Sequence, residues 1–207
     1  LALSTAALVR SYDMNSEPGG VHGISSKSFG ETYQLCSSEP FRAQPAGAFC
    51  SGFLVAPDIM VTAGHCIESV TDCNTTRFVF DYGVFQPGVF PVNSPDSNIY
   101  SCAEILETQV NGVGADFAVV RLDRAVKGRS SLKLRRRGAI SPGQGLVVIG
   151  HPAGLPTKVA EGGKVRALRS EHFIASVDTY GGNSGSAVFN KNTLEVEGVL
   201  VRGENDL

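Results

Sequence analysis

Gly181-Gly182-Asn183-Ser184-Gly185-Ser186 decides how this chain reads. A serine stands between glycines, and the sequence on both sides has the composition of strand. A serine hydroxyl is a poor nucleophile unless a base lies beside it and backbone N–H groups face the oxygen that becomes negative. Glycines allow the sharp turn such a loop needs and leave room for a carbonyl. Taken alone, the same hexapeptide is also an ordinary turn, so its meaning depends on what the rest of the chain supplies.

Two upstream stretches supply it. One is Cys50-Ser51-Gly52-Phe53-Leu54-Val55 followed by Val61-Thr62-Ala63-Gly64-His65-Cys66; the other is Ala115-Asp116-Phe117-Ala118-Val119-Val120-Arg121-Leu122. Together they set a histidine, an aspartate and a serine in that chain order. On these residues the chain resembles the chymotrypsin/trypsin-like serine protease family, from about Cys50 to Gly203.

The resemblance implies an all-β fold of two six-stranded antiparallel β-barrels with the active site in the cleft between them. His65 and Asp116 would lie on the first barrel and Ser184 on the second. It also implies a serine endopeptidase. Ser184 attacks a peptide carbonyl to form an acyl-enzyme, His65 carries the proton, Asp116 orients the imidazole, and the N–H groups of Gly182 and Ser184 form the oxyanion hole. Asp116 opens an apolar strand, an odd place for a charge without a partner, which fits that role.

Three departures qualify the resemblance. Asn183, not an acid, precedes Ser184, so the aspartate that pairs with a new N-terminus in trypsin has no counterpart here. Gly-Asn-Ser-Gly-Ser and the turn Gly150-His151-Pro152-Ala153-Gly154 instead resemble the bacterial branch near the glutamyl endopeptidases. Val201 stands where animal members carry a serine against the aspartate, so no fourth helper residue is assigned. His151 reads as structural; His22 and His172 lie in no motif and read as surface or structural residues.

Substrate preference is read from four positions. Asp178 lies six residues before Ser184, the offset of the trypsin pocket aspartate, and a buried carboxylate there would select Arg or Lys. Gly203 falls where the family needs a small residue. Thr179 matches a threonine of glutamyl endopeptidases, the competing reading, but Leu200 occupies the position of their pocket histidine, and an apolar side chain there opposes an anionic substrate. The other reading of Asp178 is a loop-capping residue.

Composition narrows the partners. The 18 basic and 20 acidic residues nearly balance, which gives no reason to expect nucleic acid. Arg135-Arg136-Arg137 reads as a solvated loop and, secondarily, as a self-cleavage site. No apolar run has the length of a membrane span. Protein or peptide substrates, no cofactor and a monomer are expected, and no metal, because the histidines and cysteines lack closed zinc spacing.

The resemblance pairs Cys50 with Cys66. Cys73 and Cys102 are then a natural second pair, although sequence alone leaves the connectivity open. Cys36 is left over, as a free thiol, an intermolecular partner or a replacement in one of those pairs. Disulfides point to a secreted or periplasmic protein.

Turn residues such as Pro57-Asp58, Pro142-Gly143 and Asn190-Lys191-Asn192 separate short apolar runs in the manner of a barrel or sandwich. Residues 1–35 read as an N-terminal arm or propeptide remnant, with Leu1 to Val9 a trimmed precursor end or short helix. Residues 36–207 read as the protease domain, with barrel 1 at about 36–125 and barrel 2 at about 140–207. The sequence stops at Leu207, soon after the apolar run Gly198–Val201, so the family's closing helix is expected to be missing or removed. Two other classes stay open. A catalytically silent binding homologue is disfavoured by an intact triad, and a stress protease–chaperone by the lack of sequence after Leu207 for a peptide-binding domain.

Overall fold

The apolar run Thr5–Arg10 is the first strand of a closed barrel, and Ala6, Ala7, Leu8 and Val9 are all fully buried in it. A computed structural model describes residues 1–203; the segment 204–207, on which the expectation about a closing helix falls, lies outside the described residues. In chain order the strands are β1 (Thr5–Arg10), β2 (Met14–Glu17), β3 (Val21–Ile24), β4 (Cys50–Ala56), β5 (Ile59–Thr62), β6 (Thr76–Phe80) and β7 (Asn93–Pro95). They continue as β8 (Ile99–Val110), β9 (Asp116–Leu122), β10 (Gly145–Gly150), β11 (Lys158–Leu168), β12 (Phe173–Ser176), β13 (Ala187–Asn190) and β14 (Val196–Val199). Two short helices, α1 (Phe29–Thr32) and α2 (Val70–Thr75), lie between strands. The strand order β1-β4-β5-β9-β8-β6 closes on itself as a six-stranded barrel.

This corrects the reading of residues 1–35 as an arm. β1 closes the barrel by pairing antiparallel with β4 on one side and β6 on the other, so the barrel begins at Thr5 and not near residue 36. Both faces of β1 are covered. Ala6 and Leu8 join the barrel interior with Leu54, Met60, Phe78 and Val120, while Ala7 and Val9 pack outside it against Ile24, Val79 and Tyr82. A strand covered on both faces shows a continuous apolar run instead of the polar–apolar alternation that marks a half-buried strand. β2 and β3 form a hairpin and, with β7, a small three-stranded sheet.

The second unit is a five-stranded sheet, β12-β11-β10-β13-β14, and the molecule is all-β in two units as the resemblance implies. Beyond β14 the edge is met by one bridge, Leu134 to Val196, in place of a full sixth strand. The Arg135 N–H donates to the Val196 carbonyl at 3.0 Å, and the Val196 N–H donates to the Lys133 carbonyl at 2.7 Å. The chain then turns away at Gly138, where φ is +70°.

The two units meet along one apolar seam. Phe53, with Val55 and Val61, packs from the outer face of β4 and β5 onto Ile149, Ala187, Phe189 and Val196 of the second sheet. Phe53 and Phe189 are essentially fully buried, and such rings each contribute about 2–3 kcal/mol on burial. That seam sets the cleft between the units.

Cys50 is bonded to Cys66 and Cys73 to Cys102; Cys36 is a free, exposed thiol. α2 carries Cys73 and is started by a capping box, in which the Ser69 hydroxyl accepts the Asp72 N–H and the Asp72 carboxylate accepts the Ser69 N–H. The Cys73–Cys102 bond fastens this helix to β8 across a sequence separation of 29. Loop-closure entropy for such a span corresponds to about 3–4 kcal/mol. The double variant Cys73→Ser/Cys102→Ser is therefore expected to lose about that much stability in urea unfolding while the histidine turn, held by the other disulfide, keeps its geometry.

Candidate active site

His65 sits in a single 3-10 turn, Gly64–Cys66, just after β5. Cys66 anchors that turn to β4 through Cys50. Gly64 is required beside it, since a Cβ there would lie 2.2 Å from the Gln109 carbonyl oxygen on β8. Asp116 is the first residue of β9, and its side chain is only 5% exposed. Its Oδ2 lies 2.9 Å from His65 Nδ1 and its Oδ1 accepts the His65 backbone N–H at 3.1 Å. A carboxylate accepts only, so Nδ1 carries the hydrogen and Nε2 is left as the basic nitrogen. Burial works to raise the Asp116 carboxyl, but the hydrogen bonds from His65, aided by the charges of His65 and Arg202, outweigh it and hold the group below the ordinary carboxylate value.

The serine loop is sewn to the first barrel at the same place. The Ser51 N–H donates to the Ser184 carbonyl at 2.7 Å, and that oxygen lies 4.0 Å from Cys66 Sγ, next to His65. Gly185 passes so close that a Cβ would fall 2.0 Å from the Ser51 carbonyl oxygen and 2.3 Å from Thr62 Oγ1, and its φ is +86°. Only glycine fits both demands. The Gly185 N–H donates to the Leu200 carbonyl, which ties the loop back to its own unit.

Gly182 also has a positive φ, +84°, and packs against Ala153 and Gly154. The Gly181 carbonyl accepts the Ala153 N–H at 2.6 Å. In a trans peptide the following N–H points the opposite way, so the Gly182 N–H faces away from that turn. Among the described residues, neither the Gly182 nor the Ser184 N–H donates to a backbone carbonyl. Both are free to bind an oxyanion.

Asn183 braces the loop without charge. It is buried; its Nδ2 donates to Thr179 Oγ1 at 2.5 Å and its Oδ1 accepts from Ser186 Oγ at 2.6 Å. Beneath the loop, His151 is fully buried. Its Nδ1 lies 3.0 Å from the Leu155 carbonyl, its N–H donates to Ser51 Oγ at 2.9 Å, and its ring packs on Tyr82. Burial pushes the imidazole down to about 4, with Lys158 helping and the Leu155 hydrogen bond opposing. His151 is thus a neutral pillar under the turn that receives Gly181.

The four pocket positions are not brought together as expected. Asp178 is exposed, which corrects the expectation of a buried carboxylate. Thr179 Oγ1 accepts from Asn183 Nδ2, Leu200 is half-buried against the cluster of Ile140, Leu146 and Val148, and Gly203 is exposed with open space around it. An open depression lies between Asn111–Gly114 and Arg169–His172, away from Ser184 and His65. Sequence reasoning passed over Arg202, whose Nη2 is 3.6 Å from Asp116 Oδ2; a charged residue directly after the apolar run Val199-Leu200-Val201 was the available signal. Cys50, His65 and Cys66 also cluster, but the two sulfurs are bonded to each other and offer no thiolate to a metal.

With that geometry stands the comparison with known proteins. Residues 50–199 match the trypsin-like peptidase domain family, and the chain belongs to it. The chain is similar to proproteinase E of Bos taurus, 33% identical over 86 residues covering 39% of this chain and 33% of the relative. It is likewise similar to chymotrypsin-like elastase family member 3B of Homo sapiens, 32% identical over 89 residues covering 41% of this chain and 32% of the relative. The matched stretch spans about a third of the length of these curated relatives. Among solved structures, one described as the atomic resolution structure of HBP superposes with a TM-score of 0.63 at 13% identity, over 99% of this chain and 81% of that one. At that identity the match speaks for the fold.

The burial of His151 has a consequence for acid stability. An unfolded histidine takes up its proton near pH 6.5, the folded one only near about 4. The unfolded state therefore binds more protons in between, so this contribution is complete above about pH 6.5 and is lost as the pH falls towards about 4, by about 3 kcal/mol at most. Urea unfolding across that window is expected to show this slope in the native protein and to lose it in His151→Leu.

Proposed function

We propose that the chain is a serine endopeptidase acting through an acyl-enzyme on Ser184, with His65 as general base and acid, Asp116 as its orienting carboxylate, and the Gly182 and Ser184 N–H groups as the oxyanion hole. One observation carries the reading. Asp116 grips His65 at two points while Ser51, two residues before β4 pairs with β5, holds the Ser184 carbonyl beside the same turn. Attack by Ser184 Oγ on a peptide carbonyl sends its proton to His65 Nε2. The negative oxygen settles on the two N–H groups, and the imidazolium then returns the proton to the leaving amine. The names of the two mammalian relatives, a proproteinase and an elastase, support a proteolytic role.

For specificity we favour Arg or Lys at the residue before the cleaved bond, on the position of Asp178. Because that carboxylate is exposed, its selection is modest, on the order of tenfold, and weakens with salt. The glutamyl alternative has less support, since Leu200, half-buried against the core of the second unit, offers an apolar side chain where an anionic substrate needs a donor. Two disulfides suit an oxidising compartment, secreted or periplasmic. With β1 inside the barrel, we read residues 5–10 as integral to one protease domain and not as a propeptide.

Digestion of a mixed peptide library, with the new ends read by mass spectrometry, tests the reading. Cleavage after Arg and Lys is expected, lost in Ser184→Ala and broadened in Asp178→Ser. Cleavage that persists in Ser184→Ala would overturn the assignment of the nucleophile.

A further inference from the structure

Asp116 accepts two hydrogen bonds from His65, and the nearest cation to it comes from the other unit of the molecule. Arg202 lies on the segment after β14, and its Nη2 stands 3.6 Å from Asp116 Oδ2, the oxygen that holds the His65 ring. At that distance the contact is an ion pair without a hydrogen bond. The guanidinium's hydrogen bonds go elsewhere: Nη2 donates to the Asn111 carbonyl at 3.3 Å and to the Gly114 carbonyl at 3.1 Å. Asn111 and Gly114 belong to the turn that delivers Asp116. That turn is closed by the Asn111 N–H donating to the Ala115 carbonyl and the Gly114 N–H to the Asn111 carbonyl. Val201, immediately before Arg202, packs against the interior of the first barrel and has no side-chain donor to offer.

We propose that Arg202 is a positioning residue for the reaction, a strut from the second unit that fixes the Asn111–Ala115 turn and places a positive charge on the Asp116 side of the His65–Asp116 pair. The proposal rests on the serine endopeptidase reading above. It assigns Arg202 no contact with the scissile bond; the effect passes through Asp116.

Two consequences follow from the chemistry. Arg202 bridges two carbonyls from one nitrogen, Nη2, whose two N–H groups are fixed in the guanidinium plane, whereas the donors of a lysine ammonium rotate on a flexible stem and are not held towards both. Its charge, which either side chain supplies, opposes a proton on the adjacent imidazole and supports an ionised Asp116. Other charges near the pair are more remote from it. Glu171 reaches over Gly114 from the β11–β12 turn, with exposed Arg169 and His172 beside it, and Glu68 after the histidine turn and Glu107 on β8 are both exposed. Arg202 is itself 41% exposed, so its electrostatic effect is partly screened.

The test is steady-state hydrolysis of one good peptide substrate, across pH, by the native protein and by Ser184→Ala, Arg202→Gln and Arg202→Lys. Thermal unfolding of each reports on folding. Arg202→Gln is expected to lower kcat roughly tenfold with little change in KM, the pattern of a misplaced catalytic group. The acidic limb of its kcat/KM profile is expected to move to higher pH by roughly half a unit, because a charge opposing imidazole protonation is gone. Arg202→Lys should keep the native acidic limb while recovering only part of kcat. A purely structural role would leave the limb in place. If the native protein cleaves and Arg202→Gln matches it in both kcat and pH limb, the proposal is overturned and the endopeptidase reading stands. If Arg202→Lys shifts the limb as far as Arg202→Gln, the charge has no part and the proposal is again overturned. Absence of cleavage by the folded native protein would overturn the reading and the proposal together.

Discussion

The close approach of the serine loop to the first barrel is the contact on which the rest of the site depends. Gly185 lies against the Ser51 carbonyl and the Thr62 hydroxyl with no space for a side chain, and the Ser51 N–H holds the Ser184 carbonyl. Ser51 lies between Cys50 and Gly52 on β4, and Thr62 ends β5, so both are one short step from the histidine turn. The Ser184 loop of one unit is therefore placed by the backbone of the other. Apolar packing of Phe53 on Phe189 brings the units together, but it is non-directional. The glycine contact and the Ser51 hydrogen bond supply the direction.

Charge is used sparingly around this contact. Asn183 braces the loop with two neutral hydrogen bonds, and His151 supports it from below as a neutral ring. Both keep net charge out of a buried region where an unpaired ion is costly. The charged side chains at the site, Asp116 and Arg202, are gathered beside His65. Such separation suits a reaction in which negative charge develops at the N–H groups and positive charge at the imidazole.

The chemistry was more legible in the sequence than its supports. Thr-Ala-Gly-His-Cys and Gly-Asn-Ser-Gly-Ser are readable because glycine, cysteine and the reacting residue must be adjacent in the chain to form one tight turn. Asp116 could be found because an acid opening an apolar strand is exceptional. β1 was missed because burial on both faces erased the alternation by which strands are recognised. Asp178 is located by its offset from Ser184 and Thr179, Leu200 and Gly203 by matching positions of the resembled family, and a place along the chain does not fix where a side chain goes. Thr179 accepts a hydrogen bond from Asn183, Leu200 lies half-buried against the core of the second unit, and Asp178 faces solvent. Arg202 was passed over because its partner lies in a distant strand, and only the folded cleft brings the two together.

On the function proposed above, the fold gives Ser184 a reactivity that no other serine in the chain has, and His65 is its source. The most direct measurement is labelling of the folded protein with a fluorophosphonate, with the modified residue located by mass spectrometry and His65→Ala treated alongside. One phosphonylated residue, Ser184, is expected, and no labelling in His65→Ala. A label on a different serine, an unlabelled folded protein, or equal labelling of Ser184 without His65 would contradict it.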